Sequence, residues 1–337
     1  MNAFVSVVAA ISAFAVTAVL GFIVIPFLHK LKFGQTIREI GPSWHKNKNG
    51  TPTMGGIMIA VGVLVSCIVS FSLSAFSAKN SMWERGYEVS LIFSGLGLSF
   101  GMGLIGFIDD YIKVVKKRNL GLTAKQKTIL QFLVSAAYLV SLALSGMDVT
   151  WIPFVGEVSV VSGIGIIFWP IALLFVYGFT NAVNLTDGID GLASTVTLIV
   201  CCCFMLASSY LGYIGTNLFA CAAAGACLGF LVWNVHPAKV FMGDTGSMFL
   251  GGIVVALAFS IGKPILLILA GIQYIIEAFS VMLQVAYYKK TKKRLFKMSP
   301  IHHHFEMSGY SEEKIVLLFS IVTAIGSFIA LLAVVFG

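Results

Sequence analysis

Apolar residues run through this chain in blocks too long for a soluble core helix, and the polar residues gather in the gaps between them. A helix needs about 20 apolar residues to cross the hydrocarbon core of a bilayer. Blocks of that kind lie near 3–28, 53–73, 89–108, 128–146, 163–183, 193–213, 217–235, 247–262, 265–288 and 314–336. They predict an all-α, polytopic integral membrane protein of about ten transmembrane helices, a single transmembrane domain over residues 1–337. The eighth block is short, and Gly212 and Gly215 mark a tight turn between the sixth and seventh. The first 28 residues carry no charge. A signal peptide would open with a basic stretch and a shorter apolar core, so a retained span is expected.

Composition supports this reading. Of the 337 residues, 58% are hydrophobic and 11% charged, whereas a soluble domain carries roughly a quarter charged residues. The six cysteines all fall inside apolar runs without zinc or redox spacing, so they are expected to be small packing residues. Consecutive Cys201, Cys202 and Cys203 face three directions on a helix and cannot converge on one metal. Gly97 and Gly101 predict close helix packing in the third span.

Charge placement adds orientation. Nineteen of the 22 Lys and Arg residues fall on alternate loops of one side, and Lys79, Arg85 and Lys263 alone fall on the other. By the positive-inside rule the basic side is cytoplasmic, the number of spans is even, and both termini are periplasmic or extracellular. The net charge of +8 then faces anionic headgroups, and no nucleic-acid partner is expected.

The acids follow the same side. Glu84, Glu88, Asp148 and Glu157 lie in outer loops and Glu277 inside the ninth span, while the other nine of 14 are cytoplasmic. Asp109 and Asp110 end the third span, Asp187 and Asp190 follow the fifth, and Asp244 follows the seventh. Three helices thus bring carboxylates to one depth of one face, a donor set that suits a hard divalent cation shared with substrate phosphates. Each group also has an ordinary explanation: Asp244 as the N-cap of the eighth span, Asp109 and Asp110 as a solvated helix end. The glycine-rich segments around Asp187–Asp190 and Asp244 expose N–H groups suited to phosphate. Lys48 precedes a glycine-led turn and would serve as a point charge for phosphate or as a plain loop cation. His302, His303 and His304 read as a metal tract, a solvated polar run, or groups for phosphate recognition and proton handling. Glu277, in a span with Gln273 and Gln284, is expected to have an internal hydrogen-bonded role.

The segments GTPTMGG (50–56), DDYIKVVKKRNLGLTAKQK (109–127), NAVNLTDGIDGLA (181–193), FMGDTGS (241–247) and SPIHHHFE (299–306) resemble the signatures of the phospho-N-acetylmuramoyl-pentapeptide transferase family. That family lies within the polyprenyl-phosphate N-acetylhexosamine-1-phosphate transferases. The segments come in the family's order, and the remaining spans fit its ten-helix plan. The resemblance implies a Mg²⁺-dependent bacterial inner-membrane enzyme, expected as a homodimer. It would transfer phospho-MurNAc-pentapeptide from UDP-MurNAc-pentapeptide to undecaprenyl phosphate, giving lipid I and UMP. It implies Asp109 as the base for the lipid phosphate with Asp110 beside it, and Asp244 and Asp187 as metal ligands. Asn184, Asp187, Asp190 and Phe241 fall on the nucleoside side. Lys48, Thr53, Asn181, Asn234 and His302 to His304 match further site positions, and Lys113, Lys117 and Lys125 the basic residues near the phosphates.

Direct attack by the lipid phosphate is favoured over a covalent aspartyl-phosphate, because phosphoryl transfer between anions needs neutralisation and alignment most. A sister transferase using UDP-GlcNAc is the alternative, disfavoured by IHHHFE together with GTPTMGG. A DDxxD prenyltransferase fails because Lys113 occupies the third acidic position. A transporter would carry its ionisable groups near the bilayer midplane, where only Glu277 lies.

Overall fold

The structure is a computed structural model, and it describes residues 3–31, 50–76, 82–115, 120–153 and 155–336. Its helices are α1 (Ala3–Lys30), α2 (Gly56–Ala75), α3 (Gly86–Val115), α4 (Ala124–Leu144), α5 (Phe168–Thr186), α6 (Leu192–Leu211), α7 (Ile214–Asn234), α8 (Gly243–Ser260), α9 (Leu266–Ala270), α10 (Ile272–Thr291), α11 (Ile301–Glu306) and α12 (Glu312–Phe336). Among the described residues, nine of these are long and apolar enough to cross a membrane: α1 to α8 and α12. The chain is a membrane-embedded helical protein.

Helices α7 and α8 form the centre and are buried along nearly their whole length. Small residues make this close approach affordable in space: a Cβ at Gly225 of α7 would stand 2.1 Å from the Ala10 carbonyl of α1. Helix α3 packs along α8, and α5 lies on its other flank. The outer helices α1 and α12 turn apolar faces outward, with Phe22 and Phe328 exposed. Five of the six cysteines are buried and all are free, as expected of packing residues.

Four features differ from the sequence expectation. The block at 265–288 is broken at Gly271 into the short α9 and the more polar α10. Helix α3 runs 30 residues and continues past Asp109 and Asp110 instead of ending there. The tight turn between α6 and α7 is Gly212 and Tyr213 alone, so Gly215 already belongs to α7.

The fourth is a two-stranded antiparallel hairpin, so the fold is not purely helical: β1 (Val149–Ile152) pairs with β2 (Gly156–Ser159), Val149 opposite Ser159. Two four-residue strands are marginal alone, and this hairpin is anchored. Trp151 N–H donates to the Gly262 carbonyl at 3.0 Å, the Lys263 ammonium lies 3.8 Å from the Trp151 ring centre, and Trp169 Nε1 donates to Val160 O at 2.9 Å. Beneath it lies an apolar cavity of about 400 Å³, lined by Trp151, Val158, Phe168, Phe175, Phe259 and Ile268.

Candidate active site

The far end of the bundle from the hairpin gathers the polar residues. Two close contacts set its frame. A Cβ at Gly106 of α3 would meet the Asp244 carbonyl at 2.1 Å, so α3 touches the first turn of α8 backbone to backbone. The start of α2 is laced to the same turn by N–H donors: Gly55 to Phe241 O, Phe241 to Pro52 O and Gly56 to Met242 O, each at 2.9 Å.

On this frame Asp109, Asp110 and Lys113 project from the last turns of α3, with Asp109 and Lys113 one turn apart on one face. Asp244 sits in the first turn of α8, where the helix dipole favours an anion. It is not the N-cap; that position is Met242, without a side-chain cap. Asp110 supplies the cap from the neighbouring helix, its Oδ2 accepting from Thr245 N–H at 2.9 Å and Thr245 Oγ1 at 2.8 Å.

One ligand-type oxygen from each of Asp109, Asp110 and Asp244 lies within 4.8 Å of the others. The Lys113 ammonium stands among them, 2.6 Å from Asp109 Oδ2, 3.4 Å from Asp110 Oδ1 and 3.1 Å from Asp244 Oδ2. Lys127 of α4 reaches the same Asp244 oxygen at 2.7 Å. Asn184 Nδ2 donates to Asp244 Oδ1 at 2.9 Å and to Ser247 Oγ at 2.8 Å, and Leu122 N–H donates to Asp109 Oδ1 at 2.7 Å. An all-oxygen set converging on a cationic group fits a hard divalent ion such as Mg²⁺.

The other residues singled out in the sequence take varied places. Thr53 belongs here, since a Cβ at Gly243 would lie 2.7 Å from its hydroxyl and 2.5 Å from Asp110 Oδ2. Asp187 caps the end of α5. Its carboxyl is held well above the usual range by burial, then by the charges of Asp244 and Asp110, but it is not in the three-carboxylate cluster. Asp190 accepts from Ala238 N–H at 3.0 Å and pairs with His236 Nδ1 at 2.9 Å, while its own N–H donates to Glu312 Oε2 at 2.9 Å. Asn234 is buried, accepting from Gly191 N–H at 3.1 Å and donating to Val240 O at 2.9 Å. Asn181 exchanges hydrogen bonds with Gln131 of α4, both at 3.2 Å. Phe241 is half-buried beside the α2 lacing. His302 to His304 form α11. Lys125 is exposed, and Lys48 and Lys117 lie outside the described residues.

Lys127, Thr245, Ser247, His236 and Glu312 escaped the sequence reading. Lys127 was visible only as one more basic residue. Lys125 and Lys127 lie about 200° apart around a helix of 3.6 residues per turn, and spacing alone does not say which faces the aspartates.

The sequence model described as Glycosyl transferase family 4 matches residues 92–262, and phospho-N-acetylmuramoyl-pentapeptide-transferase signature 1 matches residues 48–59. A phospho-N-acetylmuramoyl-pentapeptide-transferase of Halalkalibacterium halodurans is 46% identical over 325 residues, covering 96% of this chain and 95% of that protein. Proteins of the same description from Clostridioides difficile (45% identical; 96% of each chain) and Acetivibrio thermocellus (46%; 94% of this chain, 91% of that one) are similarly alike. With its signature on the segment laced to the Asp244 turn, and that similarity over nearly its full length, the chain belongs to the phospho-N-acetylmuramoyl-pentapeptide-transferase family and is a phosphosugar transferase.

Proposed function

We propose that this enzyme moves phospho-MurNAc-pentapeptide from UDP-MurNAc-pentapeptide to undecaprenyl phosphate, forming lipid I and releasing UMP, with Mg²⁺ as cofactor. The observation that carries the reading is the meeting of three carboxylates with two lysine ammoniums and the Asn184 amide at adjoining helix ends. Phosphoryl transfer between two anions offers little covalent chemistry to assist, so catalysis rests on alignment and charge compensation. Asp244, with Asp109 and Asp110 beside it, would hold the ion, and Mg²⁺ there supplies charge neutralisation at the diphosphate.

Lys113 and Lys127 offset the charge of the incoming lipid phosphate. Asp109, held by the Leu122 N–H and by Lys113, steers that phosphate or takes its proton. Direct attack is favoured over a covalent aspartyl-phosphate, because transfer between two anions needs alignment and neutralisation more than a protein nucleophile. Asn184, Asp187 and Phe241 stand on the nucleotide side. Asp190 and Asn234 act through the loops they hold, and Lys48 and Lys117 keep the phosphate roles implied by their motifs. In this reading the positive-inside rule sets this end at the cytoplasmic face of a bacterial inner membrane, α9 and α10 together make the tenth crossing that leaves both termini outside, and a homodimer is the working assembly.

The test is UMP release by the purified chain given UDP-MurNAc-pentapeptide, undecaprenyl phosphate and Mg²⁺. Asp244→Asn is expected to lower kcat by about 10²–10³, the scale of losing one preorganised charge-stabilising group. Full activity in that variant would remove the metal role, and turnover of UDP-GlcNAc in place of the muramoyl donor would overturn the substrate.

A further inference from the structure

The three histidines of α11 do not share one environment. His302 is fully buried, with its Nδ1 3.1 Å from Oε2 of Glu277, itself fully buried in α10. The other Glu277 oxygen accepts from Gln273 Nε2 at 3.4 Å. His303 has its Nδ1 2.5 Å from Oε2 of buried Glu306, one turn further along α11. The two imidazoles are edge to face, with centres 4.1 Å apart. His304 differs: its Nδ1 accepts from the Lys297 N–H at 3.2 Å.

These partners dictate where each ring carries its proton. A carboxylate can only accept, so the ring nitrogen facing it must donate; a backbone N–H can only donate, so the nitrogen facing it must be bare. His302 and His303 therefore carry the proton on Nδ1, and neutral His304 carries it on Nε2. For His302 this matters at the opposite edge of the ring. Its Nε2 is buried with no hydrogen-bond partner among the described residues. It lies over Gly188, where a Cβ would come within 2.0 Å of it. Gly188 sits in the turn between Asp187 and Asp190. A buried polar atom left without a partner costs about 1–3 kcal/mol, and here that atom is turned to the segment beside the candidate nucleotide side.

We propose that Glu277 and Glu306 are positioning residues for the transfer reaction, fixing His302 and His303 with the proton on Nδ1 and presenting Nε2 of His302 to the Asp187–Asp190 turn. Glu277 is thus a fully buried carboxylate of α10 acting on chemistry at the helix ends through an imidazole. Carboxylate partners that orient metal-ligating histidines change metal affinity or activity by about 10–100-fold when removed, and a loss on that scale is expected here. This inference rests on the transferase reading above.

The test compares the full-length parent, Glu277→Gln, Glu277→Leu and Glu306→Gln, purified in lipid nanodiscs. Steady-state kinetics give kcat and KM for the nucleotide donor, and ¹⁵N-histidine NMR reports which ring nitrogen is protonated. The glutamine at 277 keeps an acceptor oxygen, so it should retain the Nδ1–H tautomer and lose less kcat than leucine. Leucine should give mixed tautomers and a kcat 10–100-fold down, with KM unchanged. Glu306→Gln, which also keeps an acceptor oxygen, should lose kcat to the smaller extent expected of Glu277→Gln. Parent-like kcat in all three variants, or a parent-like tautomer spectrum in Glu277→Leu, would overturn the proposal. Should leucine at 277 prevent folding, the parent spectrum still decides: His302 and His303 found protonated on Nε2 would also overturn it. A parent that releases no UMP defeats the transferase reading instead, and the tautomer measurement stands apart from that outcome.

Discussion

Around Asp244, three carboxylates share the Lys113 ammonium and Asp244 also takes that of Lys127, beside donors from Leu122, Thr245 and Asn184. Around Asp190, the carboxylates of Asp190 and Glu312 are engaged by backbone N–H groups and by His236, whose Nδ1 is 2.9 Å from one and 3.6 Å from the other. Both groups could be drawn as metal sites from residue type alone. In the first, the compensating charge rides on long side chains that can move aside for a substrate or an ion. In the second, the pairing is built into three chain segments: the turn after α5, the loop after α7 and the start of α12. Under the proposed function, the same residue types would serve an exchangeable site in one place and a strut in the other.

The largest expected break in this contrast comes from Lys127→Met. It strips Asp244 of a cation and should cost about 10²–10³ in kcat/KM by the usual scale for a charge-stabilising group. UMP release measures it, and a loss under tenfold would mean that Lys113 suffices. Asp190→Asn should act mainly on stability, lowering it by about 1–3 kcal/mol as a buried hydrogen-bonded acceptor is weakened. Thermal unfolding in detergent reads this directly, and a larger loss in kcat than in stability would move Asp190 into the reacting site. Smallest is Lys125→Met, expected to leave kcat/KM within twofold because exposed charges contribute little. A large loss there would show that the exposed lysine turns inward when substrate binds.

Much of the site could be read from residue order, because its parts sit where apolar runs stop. Asp109, Asp110 and Asp244 were found that way and Asn184 through the family resemblance, and the structure brings all four together. What stayed hidden depends on partners distant in the chain. Nothing local tells that α3 continues for another turn beyond its aspartates, or that Asp110 caps another helix, 135 residues away at Thr245. The choice between Lys125 and Lys127 depends on how α4 is rotated against α8. Glu277 was legible as an odd acid in a span, but its partner His302 is 25 residues on and in a different helix. The hairpin was missed because four-residue strands lack a periodicity that stands out from loops, and this one is held by Gly262, Lys263 and Trp169 from elsewhere.

The bare contact between Gly106 and the Asp244 carbonyl has a genetic consequence. A single extra methyl at position 106 would wedge α3 from α8 and spread the carboxylates without altering any reacting group. Gly56 and Gly246, where a Cβ on either would meet the other's backbone at 2.1 and 2.8 Å, are vulnerable in the same way. A random screen for inactive alleles should therefore return these glycines alongside the acids and lysines. Because backbone atoms face all three positions, no smaller neighbour can make room, and second-site revertants should be rare.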